Sequence, residues 1–189
     1  MDSYKEEKQS LIDHKVYEKI LKNQYLDLRR ASKIPKATPS MCVLVVKKKY
    51  GNPLRAKSRI VVLGNFEDRL YQKSQRYALV LKYSSLRLTT SKAVVDERML
   101  QHGDCNNVFY NVTLPDNEVT LIRPPIGDLD FQEDEYWILK KTLYRLRRSP
   151  HHWYNIIKVI LLKMGLKASS HDPCLLSVIL EKPNSHRTI

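Results

Sequence analysis

The sequence predicts a layered domain of the α+β or α/β class. Apolar residues recur at three- and four-residue steps in the first thirty residues and again after residue 150, which indicates helices. Short runs rich in β-branched residues lie between these segments and are typical of strands. With 189 residues and 42% hydrophobic content, the chain is long enough for one ordinary domain or for part of a larger one.

The first predicted element is a helix over residues 4–30. Its apolar positions follow the helical period and are Leu11, Ile12, Val16, Ile20, Leu21, Tyr25 and Leu28. The next stretch, "KIPKATPS", has two prolines within five residues, and a helix cannot continue through them. Residues 1–37 are therefore predicted to form an N-terminal helix and linker.

A β-hairpin is predicted next. "MCVLVV" (41–46) and "SRIVVLGN" (58–65) have the composition of strands, and "KKKYGNPLRAK" between them has that of a turn. Six basic residues and no acid gather at the tip: Lys47, Lys48, Lys49, Arg55, Lys57 and Arg59. Such a tip is either a solvated loop or a contact for phosphates, and the sequence favours neither.

The middle of the chain predicts a helix that begins at Ser84, which is a good N-cap. Its apolar face would be formed by Leu88, Val94, Val95 and Met99, although "TTS" at 89–91 weakens the helix. We expect one strand to carry Asp104 and another to cover "EVTLI" (118–122). "DLDFQEDE" (128–135), with five acids in eight residues, is predicted to be a loop.

The last predicted helix begins at "SPHHWYNIIKVILLKMG". Ser149 would cap it, Pro150 fits its first position, and Gly165 would end it. One apolar stripe is interpreted as core packing and consists of Trp153, Ile157, Ile160, Leu161 and Met164. The tail at 179–189 is predicted to be disordered.

Charge and composition narrow the functional classes. The net charge is +13, and residues 1–100 hold 22 Lys and Arg against 10 Asp and Glu, so the first half carries almost all the excess. This field attracts polyanions, nucleic acid first and acidic lipid second. The three cysteines are far apart in the sequence, which favours free thiols in a reducing compartment. No apolar run approaches the ~18 residues of a membrane helix, and the N-terminus is too charged for a signal peptide. We therefore expect an intracellular protein, cytoplasmic or nuclear, without membrane contact.

Several motifs then occur in a recognisable order: "RAKSRIVVLGN", "YALVLKYSSLRL", "GDCNNVFYNVTLP", "IRPPIGD", "YWILKKTLYRLRRSPHHWY" and "HDPCLL". In this order the chain resembles the reverse transcriptase of Ty1/copia-type retrotransposons, the RNA-directed DNA polymerase of their Pol polyproteins. The resemblance implies an α+β fold made of the fingers and part of the palm. It assigns residues 38–178 to this partial domain.

The resemblance also implies a reaction and its residues. The family extends a primer with dNTPs on an RNA or DNA template, with Mg²⁺ as the cofactor. Asp104 matches the first catalytic aspartate and metal ligand, and Phe109 matches the aromatic gate beneath the sugar. Arg59 and its neighbour Lys57 match the contacts to the incoming triphosphate. The expected nucleic-acid contacts are Lys47, Lys48, Lys49, Arg147 and Arg148.

The sequence departs from the family pattern at four places. The family has two further aspartates in a Tyr-Val-Asp-Asp hairpin after the segment that here reads "SSHDPCLL", whereas this sequence contains no Asp-Asp pair. Arg145 replaces a glycine that permits positive φ or close approach, Val112 replaces a glycine in a turn, and Leu79 replaces a proline. Because one carboxylate is a poor site for two Mg²⁺ ions, we predict that this chain alone is inactive.

Three other interpretations stay open. In the first, the chain is a non-catalytic remnant that binds nucleic acid without sequence preference. In the second, the chain does not fold stably without further strands. The third is a zinc site, for which the candidate ligands are His102, Cys105, His151, His152, His171 and Cys174.

Overall fold

A computed structural model describes residues 2–31, 34–50, 52–126 and 134–178. The chain divides into two compact units, the first made of Met1–Tyr77 with Cys105–Trp153 and the second of Ala78–Asp104 with Tyr154–Ile189. The tail predicted at 179–189 and most of the acidic loop predicted at 128–135 lie outside the described residues. The domain boundaries after residues 37 and 178 stay predictions.

A five-stranded sheet organises the first unit, so the prediction of a mixed helix-and-sheet fold is confirmed. The strands are β1 (Tyr17–Leu21), β2 (Thr38–Lys49), β3 (Asn52–Val62), β4 (Thr120–Arg123) and β5 (Glu135–Leu139). The sheet order is β1-β5-β4-β2-β3, with β2 and β4 parallel and the other pairs antiparallel. The short helix α3 (Lys73–Arg76) also belongs to this unit.

The prediction of one helix over residues 4–30 is wrong. The segment forms helix α1 (Asp2–Asp13), then strand β1, then helix α2 (Lys22–Arg30). Lys15 takes a left-handed φ of 51°, which ends the first helix, and β1 then pairs along its whole length with β5. Apolar residues at helical spacing cannot reveal this break, because the strand is specified by its distant partner.

The predicted hairpin is confirmed and is longer than its apolar runs. β2 and β3 pair antiparallel from Ser40 opposite Val62 to Lys49 opposite Asn52. The register shifts between Lys47 and Lys48, so the basic tip contains a bulge-like irregularity. The hairpin therefore extends the strands through the cationic segment that the sequence predicted as a turn.

The main core of the first unit joins α1, the hairpin and the segments after residue 105. Its buried residues are Leu11, Val16, Ile60, Val62, Tyr110, Leu114, Ile122, Trp137, Leu139, Leu143 and Leu146. The ring of Tyr17 stacks on that of Trp137 with centroids 3.9 Å apart. A smaller cluster packs around the stacked rings of Tyr25 and Tyr136, whose centroids are 4.2 Å apart.

Strand β4 begins two residues later than the predicted strand at 118–122. The backbone N–H of Glu118 donates to the carbonyl of Pro115 at 2.8 Å, so a turn occupies the predicted start. The side chain of Glu118 is buried, with 6% of its surface exposed.

Helix α4 (Tyr83–Val95) lies in the second unit and confirms the helix predicted near Ser84. The N-cap position is Lys82, and Ser84 lies inside the helix. The carboxylate of Asp172 accepts the backbone N–H of Lys82 at 2.9 Å and that of Cys174 at 3.1 Å. A hydrogen bond with Ser85 and the Lys82 N–H lower the pKa of Asp172, which therefore fastens the helix start to its turn.

The apolar face predicted for α4 is not a buried face. The side chains of Leu88, Val94, Val95 and Met99 are 68–85% exposed, and Ala93 is the buried residue of the helix. A two-stranded sheet of β6 (Lys167–Ala168) and β7 (Leu176–Ser177) also belongs to this unit.

Helix α5 (Ser149–Lys163) confirms the last predicted helix. The hydroxyl of Ser149 donates to the carbonyl of Leu143 at 2.7 Å, so it does not act as the predicted cap. Gly165 has a φ of 87°, and the N–H groups of Gly165 and Leu166 bond to the carbonyls of Leu162 and Leu161. This Schellman arrangement confirms the predicted helix end.

The stripe predicted on α5 as core packing is buried only in part. Trp153, Ile157 and Leu161 are half-buried, whereas Ile160 and Met164 are exposed. Within the described ranges, no helix combines the length and apolar character needed to span a bilayer.

Candidate functional site

Two residues predicted to contact a nucleotide meet on one tyrosine in the first unit. The guanidinium carbon of Arg59, on β3, lies 5.2 Å from the centroid of the Tyr144 ring. The ring of Phe109 meets Tyr144 edge-on, with centroids 5.0 Å apart and an interplanar angle of 89°. Tyr110 contacts the same ring at 5.6 Å. We call Arg59, Phe109, Tyr110 and Tyr144 the Tyr144 cluster.

Backbone hydrogen bonds hold this cluster together. The N–H of Val62 donates to the carbonyl of Tyr144 at 2.9 Å, which attaches the Tyr144 segment to β3. The hydroxyl of Thr142 donates to the carbonyl of Phe109 at 2.7 Å, and its N–H donates to Val112 at 2.8 Å. The short 3-10 helix Val108–Asn111 is thereby fixed beside the strand that carries Arg59.

Tyr110 anchors that 3-10 helix from inside the core. Its side chain is fully buried, and its hydroxyl donates a hydrogen bond to the carboxylate of Glu7 on α1. Burial and this hydrogen bond to a carboxylate raise the pKa of Tyr110 far above its ordinary value, so the hydroxyl stays protonated.

Asp104 lies in the second unit, exposed and outside any helix or strand. The prediction that a strand carries it is wrong: residues 98–105 contain no described strand. In the described part of the chain, no three His, Cys, Asp or Glu side chains come together in a way that could hold a metal ion. The donors present therefore do not fit a two-Mg²⁺ site, and the proposed zinc ligands are not assembled either.

The three lysines predicted to contact nucleic acid lie on the basic hairpin. Lys47 and Lys48 are exposed on β2, Lys57 is half-buried on β3, and Lys49 ends β2. Exposed apolar side chains precede the lysines on β2, namely Leu44, Val45 and Val46. Arg55, at the same tip, forms an exposed ion pair with Glu6 at 3.4 Å.

Arg147 forms hydrogen bonds within the first unit. Its guanidinium donates to the carbonyl of Asn65 at 3.0 Å and to that of Arg69 at 3.4 Å. Its backbone N–H donates to the carboxylate of Glu67 at 2.8 Å. Burial raises the pKa of Glu67 despite this bond, because desolvation penalises the charged carboxylate more. Arg147 thus holds the 65–69 loop, and its phosphate role stays a prediction.

Arg148 belongs to a largely buried charge cluster. Its guanidinium donates to the carboxylate of Glu118, which is also hydrogen-bonded to Nε2 of His152 at 3.1 Å. The guanidinium carbon of Arg148 lies 5.4 Å from the centroid of the Tyr71 ring. Burial raises the pKa of Glu118, but the bond from His152 and the charges of His152 and Arg148 outweigh burial and lower it. We call Glu118, Arg148 and His152 the Glu118 cluster.

The departures from the family pattern have different structural consequences. Arg145 has a φ of 66°, the left-handed conformation that a glycine would adopt without strain. Its carbonyl oxygen would lie 2.3 Å from a Cβ built on Gly64, so the two backbones are in close approach. Val112, which was predicted to lie in a turn, instead lies in extended backbone and is buried. Leu79 lies outside any helix or strand.

Sequence reasoning missed Tyr144, Glu7 and Glu118. Tyr144 stands inside the quoted motif "TLYRLRRSP", so its position beside the expected nucleotide residues was a usable signal. Glu7 and Glu118 gave no such signal, because their partners lie 103 and 30 residues away in the chain.

The chain thus combines a mixed α/β fold with a basic hairpin and an arginine–aromatic cluster. It matches the family "Reverse transcriptase (RNA-dependent DNA polymerase)" over residues 23–178, and it belongs to that family. Among curated proteins, it is similar to the retrovirus-related Pol polyprotein from transposon RE2 of Arabidopsis thaliana, with 30% identity over 150 residues. That match covers 75% of this chain and 10% of the relative.

A second relative is the retrovirus-related Pol polyprotein from transposon RE1 of Arabidopsis thaliana, 31% identical over 138 residues. This match covers 71% of this chain and 9% of the relative. The prediction of a copia-type reverse transcriptase fragment is confirmed by these matches. The chain spans about a tenth of the length of these relatives. No solved structure matches the chain.

Proposed function

We propose that residues 38–178 form the nucleotide- and template-binding part of a copia-type reverse transcriptase, comprising its fingers and part of its palm. The observation that carries this proposal is the Tyr144 cluster. The Arg59 guanidinium and the Phe109 ring both pack against Tyr144. Such a pair suits a ligand that carries a polyphosphate beside a sugar, because guanidinium groups bind phosphate and aromatic rings pack against sugars. In this proposal Arg59 binds the triphosphate, with Lys57 on the same strand, and Phe109 excludes a 2′-hydroxyl.

The template and primer would be bound mainly by the hairpin. Lys47 and Lys48 are exposed, so they can reach phosphates without breaking an ion pair that stabilises the fold. Lys49 ends the same strand. To bind a phosphate, Arg147 would have to give up its hydrogen bond to Asn65, and Arg148 its hydrogen bond to Glu118. We therefore regard both arginines as secondary contacts.

By itself this chain would bind without polymerising. Mg²⁺ loses its hydration shell reluctantly and usually needs two carboxylates together with the substrate phosphates. Asp104 is the family aspartate present here, and the described residues contain no cluster of donors around a metal position. The two-metal reaction of the family would therefore require carboxylates beyond those that this chain assembles.

Salt dependence tests the binding proposal. If about five phosphates are neutralised, log K for a single-stranded RNA should fall against log salt with a slope of roughly −3.5. We expect Lys47→Gln with Lys48→Gln to make the slope less steep by about 1.4, since each phosphate contact to a single strand contributes roughly 0.7. Fluorescence anisotropy of a labelled oligonucleotide measures both.

The matched control replaces two exposed lysines of the second unit, Lys163→Gln with Lys167→Gln, and should leave the slope unchanged. A slope near zero for the native chain would contradict the nucleic-acid role. An equal loss in the control would mean that overall charge, not the hairpin, binds the RNA.

The alternative function is that of a remnant that binds nucleic acid but not nucleotides. The charge asymmetry of the sequence favours it equally. Binding of RNA without any binding of a dNTP by the native chain would support this alternative.

A further inference from the structure

Glu7 on α1 contacts the neighbours of both nucleotide residues. Its Oε1 atom accepts the backbone N–H of Ile60 at 3.3 Å and the hydroxyl of Tyr110. Ile60 directly follows Arg59, and Tyr110 directly follows Phe109. One carboxylate oxygen therefore joins strand β3 to the 3-10 helix Val108–Asn111.

Further contacts fix α1 in this position. The hydroxyls of Ser3 and Ser58 are hydrogen-bonded at 2.8 Å, and the side-chain amide of Asn107 donates to the hydroxyl of Ser10 at 3.3 Å. Leu11 is fully buried in the same core as Ile60 and Tyr110. The helix is thus tied to both elements along its length.

The match to the reverse transcriptase family begins at residue 23, so it leaves α1 without any assigned role. The contacts of Glu7 give the helix one. Hydrogen bonds to a carboxylate are among the stronger ones, and a buried tyrosine whose hydroxyl lost its acceptor would leave a polar group unsatisfied.

We propose that Glu7 is a positioning residue, which fixes the Phe109 ring relative to Arg59 and thereby sets the discrimination between deoxyribose and ribose. The inference rests on the proposed nucleotide site. A sugar gate works by contact, so a displacement of the ring by about 1 Å is enough to admit a 2′-hydroxyl. The pairing of β3 with β2, in which Arg59 lies opposite Val43, holds Arg59 when the bond from Ile60 to Glu7 is lost, so the affinity for the polyphosphate alone should depend little on Glu7.

The test measures binding of dGTP, GTP and tripolyphosphate to the full chain by titration calorimetry. We expect the native chain to bind dGTP about tenfold more tightly than GTP, a ratio typical of one well-placed contact. In Glu7→Ala and Tyr110→Phe this ratio should approach one, whereas the tripolyphosphate affinity should change less than about twofold.

Two variants should keep the native ratio. Glu7→Gln retains an Oε1 acceptor for both donors, so it restores the geometry without the charge. Glu6→Ala removes the neighbouring exposed glutamate and its pair with Arg55, and it controls for a loss of negative charge on α1. Thermal unfolding identifies any variant that does not fold, and Tyr110→Phe carries the test if Glu7→Ala does not.

The outcomes separate the two proposals. If the native chain binds neither dGTP nor tripolyphosphate, the proposed nucleotide site is wrong and this inference is wrong with it. If the native chain discriminates and folded Glu7→Ala or Tyr110→Phe keeps the native ratio, only the positioning role of Glu7 is overturned. A ratio that falls equally in Glu6→Ala would overturn it as well.

Discussion

At the scale of single residues, Arg145 has a side chain and yet adopts a left-handed backbone conformation. A left-handed conformation costs a residue with a Cβ about 1–2 kcal/mol, and Arg145 adopts it beside the close approach to Gly64. Replacing Arg145 by glycine would remove this strain, but the greater flexibility of glycine in the unfolded chain would offset about 0.4–1 kcal/mol of the stability gained. Arg145→Gly should therefore stabilise the protein by about 0.5–1 kcal/mol, as measured by urea unfolding.

Arg145→Ala is the matched control for this prediction. It removes the guanidinium but keeps the Cβ, so the strain should persist and stability should stay near that of the native chain. If Arg145→Gly is no more stable than Arg145→Ala, the left-handed backbone is not the source of the cost.

Individual residues also show what the sequence could reveal. The conformation of Arg145 was predictable, because a glycine stands at this place in the family pattern. Val112 was misjudged, since an extended and buried position suits a β-branched side chain. The role of Glu7 could not be foreseen, because it depends on a tyrosine 103 residues away.

At the scale of elements, the Glu118 cluster joins the turn before β4 to the first turn of α5. Glu118 is almost fully buried, and Arg148 and His152 share its carboxylate. Removal of this carboxylate would leave the guanidinium of Arg148 largely buried without its partner. Because Arg148 keeps some solvent contact, we expect Glu118→Ala to cost about 2–4 kcal/mol of unfolding free energy, measured by urea unfolding at pH 7.

The same cluster should make stability fall in acid. The pKa of Glu118 in the folded protein lies below its ordinary value of 4.5, so the charged carboxylate stabilises the fold fully above about pH 4.5. This stabilisation is lost as the pH falls through the lowered folded pKa. Urea unfolding between pH 6 and 3 should show a shallower acid decline in Glu118→Gln than in the native chain. Parallel declines would contradict the assignment to Glu118.

The elements were predicted unevenly for a physical reason. Helix α5 and the β2–β3 hairpin have local signals, such as Gly165 after a helical period and two β-branched runs around a turn. Strand β1 has none, because β5, which pairs with it, begins more than 110 residues later. Asp104 was assigned to a strand from its surroundings alone, and no strand forms there.

At the scale of the whole molecule, the chain combines a basic hairpin with the Tyr144 cluster, and its described residues contain no cluster of metal ligands. The family and its motif order were predictable from the sequence, since they depend on short, ordered patterns. The joining of Arg59 and Phe109 on Tyr144 was not, because it requires three segments to meet in the folded unit.

Primer extension measures whether this chain alone can polymerise DNA. The purified chain and its Asp104→Ala variant would be incubated with an RNA template, a labelled DNA primer, dNTPs and either Mg²⁺ or Mn²⁺. We predict no extension by either protein, because one family aspartate cannot assemble a two-metal site. Extension by the native chain that disappears in Asp104→Ala would mean that another carboxylate of this chain completes the metal site and that the predicted inactivity is wrong.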